Sequence, residues 1–595
     1  MQHIIPANLE PIDLEASEGF DCGEAFGHGN FQRGFFFFAV LSMWVQHCNT
    51  LAFPLISGDV DHWCRQPGHL NITADQWKEL AIPVHGDGQR SRCNAYAQPS
   101  DPNDTTVVPC DEWDYDAELA PTSIVSYWDI VCGRAWRITF VNGLSMIGSL
   151  VFLSVSGFLA DRVGRRLVAF GAASLLMVTS FGHGFASTYL VYVATKFFVS
   201  GCCSVLFVAS SVLLMEVSAH KYRVVHCGLA FAIGLTLGDL CFAIIKQFRH
   251  LGWIARQLLI MAPTALIPVG FCLLTESPRF LIAKRQLKNA EALMKAAAQT
   301  NGFPLHGPMT VMDRTEEKLR HMSLSPRQWK ALRDVSSAEV LRRRALIVFG
   351  SGFSILLAHY ALLLAWSARK TALMQGVSVT TNVICCATLL PFFNRSSRNK
   401  VLIAGIVVTG TLCSLFGIAS TGGGTNLMVV RSVVLVVAEA ACFIVLVFNM
   451  TYTLEIFPTP VRGVVTCLSF AFGRLGGVLA APISAVRGAG REDLLFALIA
   501  VVLCGAAWLL RSMPGHTEIA SNPEIKNNGG GGHRGTGASS ASRQDRLEEM
   551  KKTLEIPKRW RKEHRRKSST YHSLSAVETS PHGTEPARSR KGSEI

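Results

Sequence analysis

Along this chain long apolar runs alternate with short polar segments. Twelve runs approach or exceed the roughly 20 residues that a helix needs to cross about 30 Å of hydrocarbon. They cover 34–56, 137–159, 167–186, 189–214, 224–246, 256–275, 345–366, 372–393, 400–420, 428–450, 462–486 and 493–511. The pattern predicts an all-α polytopic membrane protein, a 12-helix bundle built as two six-helix halves, 34–275 and 345–511. Around them lie an N-terminal segment (1–33), a long loop inside the first half (57–136), a central loop (276–344) and a tail (512–595).

Composition supports the membrane reading. The chain is 49% hydrophobic and only 17% charged, with a mean hydropathy of +0.28; soluble domains carry roughly 25% charged residues. The first thirty residues are polar and acidic, so no cleavable signal is expected and the run from Gly34 acts as a retained span. The net charge of +14 does not point to nucleic acid. Its surplus sits in 276–344 and in the tail, as basic segments beside membrane helices do on the cytoplasmic side.

The 57–136 loop is rich in Asp and Glu. It holds Cys64, Cys93, Cys110 and Cys132, with sequons at Asn71 and Asn103. These features predict an extracellular, glycosylated, disulfide-bonded loop, with three pairings open to four cysteines. Both termini are then cytoplasmic, and a plasma-membrane location follows. Basic clusters at Arg162-Val163-Gly164-Arg165-Arg166, Lys221-Tyr222-Arg223 and Arg342-Arg343-Arg344 fall on the expected cytoplasmic side. The other cysteines form no metal pattern, and no cofactor is implied.

The two halves repeat one another. Asp161-Arg162-Val163-Gly164-Arg165-Arg166 follows span two, and Asn394-Arg395-Ser396-Ser397-Arg398-Asn399 follows span eight; Glu216 precedes Arg223 by seven residues, as Glu455 precedes Arg462. Such duplication is typical of secondary transporters with a central site. Asp161, Arg165, Arg166, Glu216, Arg223, Glu455 and Arg462 are candidates for ion pairs that hold one access state closed. Gly157 and Gly164 would permit close approach and a sharp turn. The alternative is a set of anchoring charges at the membrane face.

Arg474 stands twelve residues into span eleven, about 18 Å from its start and too deep to snorkel easily. It is the leading substrate-binding candidate, within Gly473-Arg474-Leu475-Gly476-Gly477. Glu439, also near mid-membrane, is expected either to neutralise it or to compete with substrate for it. Lys196, about 10 Å into span four, would add positive potential or pair with Asp239 or another acid. Trp44, Tyr360 and Phe443 are candidate aromatic lining. Neither a P-loop nor a hydrolase motif is present, so the chain reads as no enzyme and no ATP-driven pump.

Several motifs resemble the organic cation, anion and carnitine transporters of the major facilitator superfamily. They are Asp61-His62-Trp63-Cys64, Trp113-Asp114-Tyr115, Trp128-Asp129-Ile130-Val131-Cys132, Glu276-Ser277-Pro278-Arg279-Phe280-Leu281 and Glu455-Ile456-Phe457-Pro458-Thr459. The resemblance spans about residues 30–511. It implies two six-helix bundles around a cavity that alternates access, and it likens Arg474 to the arginine of anion and carnitine carriers. Departures are the second-half loop, which lacks the Asp and Gly-Arg-Arg, Lys196 in place of Arg, Glu439 in place of a base, and Met513-Pro514-Gly515-His516 after span twelve. The expected function is secondary-active or facilitative transport of small organic anions or zwitterions. The alternatives are a cation carrier using Glu439, or a receptor-like or scaffold protein that no longer transports. Expected partners are the organic ion, the lipid bilayer and, at Ser593-Glu594-Ile595, a PDZ domain.

Overall fold

The computed structural model describes residues 21–68, 72–84, 90–99, 106–248, 250–305, 311–313, 339–367, 372–395, 398–420, 425–457, 459–486 and 492–513. Asn71, Asn103 and Ser593–Ile595 lie outside the described residues.

Among the described residues, twelve long helices carry the fold. In the first half they are α1 (Asn30–Ile56), α2 (Trp136–Val163), α3 (Arg165–Gly184), α4 (Tyr189–Val217), α5 (Arg223–Gln247) and α6 (Trp253–Cys272). In the second they are α7 (Glu339–Ser367), α8 (Ala372–Arg395), α9 (Arg398–Ser420), α10 (Thr425–Ile456), α11 (Thr459–Val486) and α12 (Glu492–Leu510). Eleven are long and apolar enough to cross a membrane. The other, α8, concentrates its apolar residues in Gly376–Thr388, although its 24 residues reach about 36 Å. In α6 the α-helix passes through a 3₁₀ segment at Ala262–Leu266, where Pro263 and Pro268 each remove a backbone donor.

Packing follows the duplication. In the first half α1 lies against α4, α5 and α6, while α2 and α3 lie against α4. Adding six to each number gives the second half: α7 against α10, α11 and α12, with α8 and α9 against α10. The halves meet along α2–α11 and α5–α8, two contacts that the same operation exchanges. This is the arrangement that the resemblance implies. Helix α4 is apolar nearly all round and buried from Val199 to Val217, as a central helix should be. Val178, Phe181, Leu190, Val269, Val501 and Trp508 face outward, an apolar surface suited to lipid.

The long loop folds on two disulfides, Cys64–Cys110 and Cys93–Cys132, which resolves the three open pairings. Strands β1 (His62–Cys64) and β4 (Trp113–Tyr115) pair antiparallel, as do β2 (Asn94–Tyr96) and β3 (Val107–Pro109). Two of the family-like motifs are therefore one structural unit. Trp77 donates to the Cys64 carbonyl at 2.8 Å, and Tyr115 donates to Asp129 at 2.9 Å. On the opposite side of the bundle, the central loop contributes helices Pro278–Ala283 and Leu287–Asn301. Leu287–Asn301 packs on the short N-terminal helix Cys22–Phe26 around Phe26, Ala290 and Met294.

Candidate functional site

The repeated charges assemble at the end of the bundle away from the disulfide loop. Helix α2 ends and α3 begins at Gly164, whose φ of +114° only glycine adopts freely. A Cβ there would also lie 2.4 Å from Glu276 Oε2. Glu276 uses that proximity to accept the Arg166 backbone N–H at 3.1 Å, placing a carboxylate at the positive end of α3. Burial pushes the Glu276 carboxyl above its ordinary range. The turn leaves Arg165 pointing inward between Asp161 (3.1 Å) and Glu216 (3.3 Å). Arg166, one position on and so rotated about 100° around the helix, is exposed and stacks near Phe271. Its side chain stands apart from the charge cluster it was expected to join.

The remaining charges cross between halves. Arg462 at the start of α11 reaches Glu216 of α4 (3.9 Å), and Arg223 at the start of α5 reaches Glu455 of α10 (3.9 Å). Each half's arginine thus meets the other half's glutamate. Asp161 also accepts the Val464 N–H of α11 at 3.2 Å. One turn earlier on α2, a Cβ on Gly157 would sit 2.9 Å from Cys467 Cβ and 3.1 Å from Val464 Cα. The glycine is what lets α2 and α11 close on each other. The cluster joins the two halves by ion pairs, a latch in its geometry.

Deeper in the bundle, Arg474 lies fifteen residues into α11, about 22 Å from its start. Only 6% of it is exposed. It donates to Tyr360 Oη on α7 and to Ser204 Oγ on α4 (3.3 Å). Ser204 in turn donates to Gln46 Oε1 on α1 at 3.1 Å and lies 3.0 Å from Ser149 Oγ on α2. Gly473 and Gly476 face α7, where added Cβ atoms would meet Leu356 and the Phe353 carbonyl at 2.4 Å. The small residues therefore serve helix packing. Lys196, 2% exposed, donates to the side chain (2.9 Å) and carbonyl (3.0 Å) of Asn49 on α1.

Two anticipated pairings do not form. Among the described residues neither Arg474 nor Lys196 has a carboxylate oxygen within 4 Å. Glu439 accepts from Ser378 on α8 at 3.0 Å, because α10 packs on α8 while Arg474 faces α4 and α7. Asp239, the acid considered for Lys196, is engaged by His47 and Asn382. Of the aromatic candidates, Tyr360 holds Arg474, Phe443 is buried within α10, and Trp44 is half-buried on α1.

Comparison with known proteins decides the family. The profile of the family described as "Sugar (and other) transporter" matches residues 115–505. The chain belongs to that family. The transporter is 23% identical over 476 residues to mouse organic cation/carnitine transporter 2, covering 76% of this chain and 83% of the relative. It is 27% identical over 433 residues to human solute carrier family 22 member 11, covering 69% and 76%. The xylose transporter XylE from E. coli superposes with a TM-score of 0.53 at 13% identity, covering 82% of this chain and 99% of that one; at that identity the likeness concerns the fold. The protein is a multi-pass membrane transporter of the major facilitator type, and its relatives are transporters rather than enzymes.

The transporter's latch includes one residue that its sequence marked without assigning. Arg398 opens α9 and is ion-paired with Glu455, as Arg165 opens α3 and is paired with Glu216. The signal was the repeat itself: aligning Asp161 with Asn394 sets Arg165 opposite Arg398. Ser204 and Asn49 gave no such signal, because uncharged polar residues are common in apolar spans. His47, although ionisable and therefore conspicuous at that depth, was also passed over.

Proposed function

We propose that the transporter carries small organic anions or zwitterions by alternating access, with Arg474 receiving the carboxylate or sulfonate and Lys196 adding to the positive field. The observation that carries this reading is a pair of buried cations, Arg474 and Lys196, held by neutral partners. A charge in the membrane interior is costly without a counter-charge. An anionic substrate supplies one, and Tyr360 and Ser204 already orient the guanidinium toward the meeting point of α4, α7 and α11. In the same reading the disulfide loop is extracellular, the latch and both termini are cytoplasmic, and the protein works at the plasma membrane.

The test is uptake of a charge-sorted panel into proteoliposomes: an aromatic monocarboxylate, carnitine as a zwitterion, and a quaternary ammonium. Arg474→Ala should lower carboxylate and carnitine uptake at least about thirtyfold, since removing a charge-assisted, desolvated contact is worth about 2–5 kcal/mol. Loss of quaternary ammonium uptake in Glu439→Gln, with Arg474→Ala neutral, would replace this reading with cation transport. A folded, surface-delivered protein that moves no member of the panel would favour the receptor-like alternative.

A further inference from the structure

The bundle encloses a histidine–carboxylate pair that the Arg474 site does not use. His47 Nε2 lies 2.9 Å from Asp239 Oδ1, and Asn382 Nδ2 donates to Asp239 Oδ2 at 2.9 Å. His47 is on α1, Asp239 on α5 and Asn382 on α8, so this carboxylate joins the first half to the second. His47 is nine residues from the end of α1, Asp239 eight from the end of α5, and Asn382 ten from the start of α8. All three therefore sit about 12–15 Å below the loop-side ends of their helices. The latch described above closes the other side. The two sets of cross-half contacts bracket Arg474.

We propose that His47 and Asp239 form a proton-binding site through which the transport cycle is coupled to proton movement across the membrane. The proposal goes beyond the substrate reading and rests on it only in that a transport cycle exists. With His47 neutral, the pair carries one net negative charge. A proton from water binds Nδ1 of the imidazole, whose Nε2–H already faces Asp239 Oδ1, and the pair becomes net neutral. The same proton leaves to water when the other face opens. One proton crosses and no electrons move. Imidazole is the side chain suited to exchange near neutral pH.

Coupling follows from what each atom touches. The Asn382 bond is charge-assisted, so it is strongest when Asp239 does not share its charge with an imidazolium. Proton binding therefore loosens α8 from α5 on the loop side. Gln46, next to His47 on α1, accepts from the Ser204 hydroxyl that also receives Arg474. The His359 ring lies 6.5 Å from His47 and 5.4 Å from Tyr360, the other partner of Arg474. Substrate at Arg474 and a proton at His47 thus act on the same two helices, α1 and α7.

Among the described residues, the following ionisable groups surround the pair. Helix α7 brings His359, within electrostatic reach of His47, Asp239 and Arg474. The thiols Cys48 of α1, Cys203 of α4 and Cys241 of α5 cluster beside Asp239. Lys196 of α4 is held by Asn49, two residues on from His47 and so about 200° round α1 from it. Helix α8 presents Asn382 and Cys386, and α10 presents Glu439, bonded to Ser378. Lys246 of α5 lies against Phe242, and Arg256 of α6 donates to Phe248 at the outer end.

The experiment uses the full chain in proteoliposomes, first with no substrate. A rapid pH step applied to vesicles adsorbed on a solid-supported electrode reads charge displacement as protons bind inside the protein. The wild type should give a transient that His47→Gln and Asp239→Asn abolish and His359→Gln retains. A wild type without a transient, or one that survives in both variants, overturns the site. The second readout is carnitine flux under a one-unit pH gradient, which can drive at most about tenfold accumulation per proton carried. Asn382→Ala should keep the transient and lose the gradient-driven accumulation. Wild-type flux indifferent to a gradient of either polarity overturns the coupling. A clear transient with no flux of carnitine or any panel member leaves the proton site standing and refutes the substrate reading instead.

Discussion

At the latch, the two halves solve the same problem with different numbers of charges. In the first, Arg165 is gripped by Asp161 and Glu216, and its side chain is almost wholly enclosed. In the second, Arg398 pairs with Glu455, and both are slightly more exposed. The position corresponding to Asp161 is Asn394, and the turn glycine is replaced by Ser397. What survives in both halves is an arginine opening one helix and a glutamate closing the next. That pair, with the crossing arginines Arg462 and Arg223, is enough to build a two-sided interlock. The extra carboxylate belongs to the α2–α11 contact, where Asp161 also caps the Val464 N–H. Family-like motifs can therefore degrade in one half while ion pairs between the halves persist.

Two substitutions probe that difference, and the largest effect belongs to Glu216. It is fully buried between Arg165 and Arg462, and removing one partner of a buried ion pair costs about 3–5 kcal/mol. Glu216→Gln should lower the Tm of the detergent-purified protein more than Glu455→Gln, whose partners are nearer to water. An equal or larger fall for Glu455→Gln would mean that the second half carries the interlock. Next comes Gly157→Val. Its Cβ meets backbone at Val464, which cannot swing aside as a side chain would, and overpacking of this kind costs about 1–3 kcal/mol. Helix α2 should part from α11, so labelling of the buried Cys467 by a membrane-permeant maleimide, followed by peptide mapping, should rise roughly five- to a hundredfold. Unchanged labelling would mean that α2 and α11 do not separate at this level.

Much of this organisation was legible along the chain, because membrane spans are long and the duplication left ordered landmarks. The twelve runs correspond to the twelve helices, although α10 extends to Ile456 and α2 to Val163, beyond their apolar cores. On α10 the helix continues through Thr453, which donates back to the Asn449 carbonyl, and Glu455, which meets Arg223 of the other half. Less legible was direction around a helix. Depth alone placed Arg474 and Glu439 together, yet their faces turn toward different neighbours. Lys196 and Asp239 were likewise close in depth, but Asn49 and His47 took them separately. Partner choice in a bundle depends on rotation and neighbour order, which neither hydropathy nor charge spacing encodes. Disulfide pairing was undetermined for a similar reason: it follows from which loop strands pair.

The smallest expected effect makes the sharpest comparison. Asn394 precedes Arg398 by four residues, as Asp161 precedes Arg165. Asn394→Asp would give the second half the carboxylate it lacks, and an added ion pair between residues four apart contributes about 0.3–1 kcal/mol. If the halves are interchangeable in their charge geometry, the substitution should raise Tm slightly and slow carnitine uptake by up to about fivefold, because a tighter latch opens less often. Combining it with Asp161→Asn moves the carboxylate from one half to the other and holds the net charge constant. Recovery of the Asp161→Asn defect would show that the latch counts carboxylates. A defect that persists would assign Asp161 a task Asn394→Asp cannot take over, namely its hold on the first turn of α11 through the Val464 N–H.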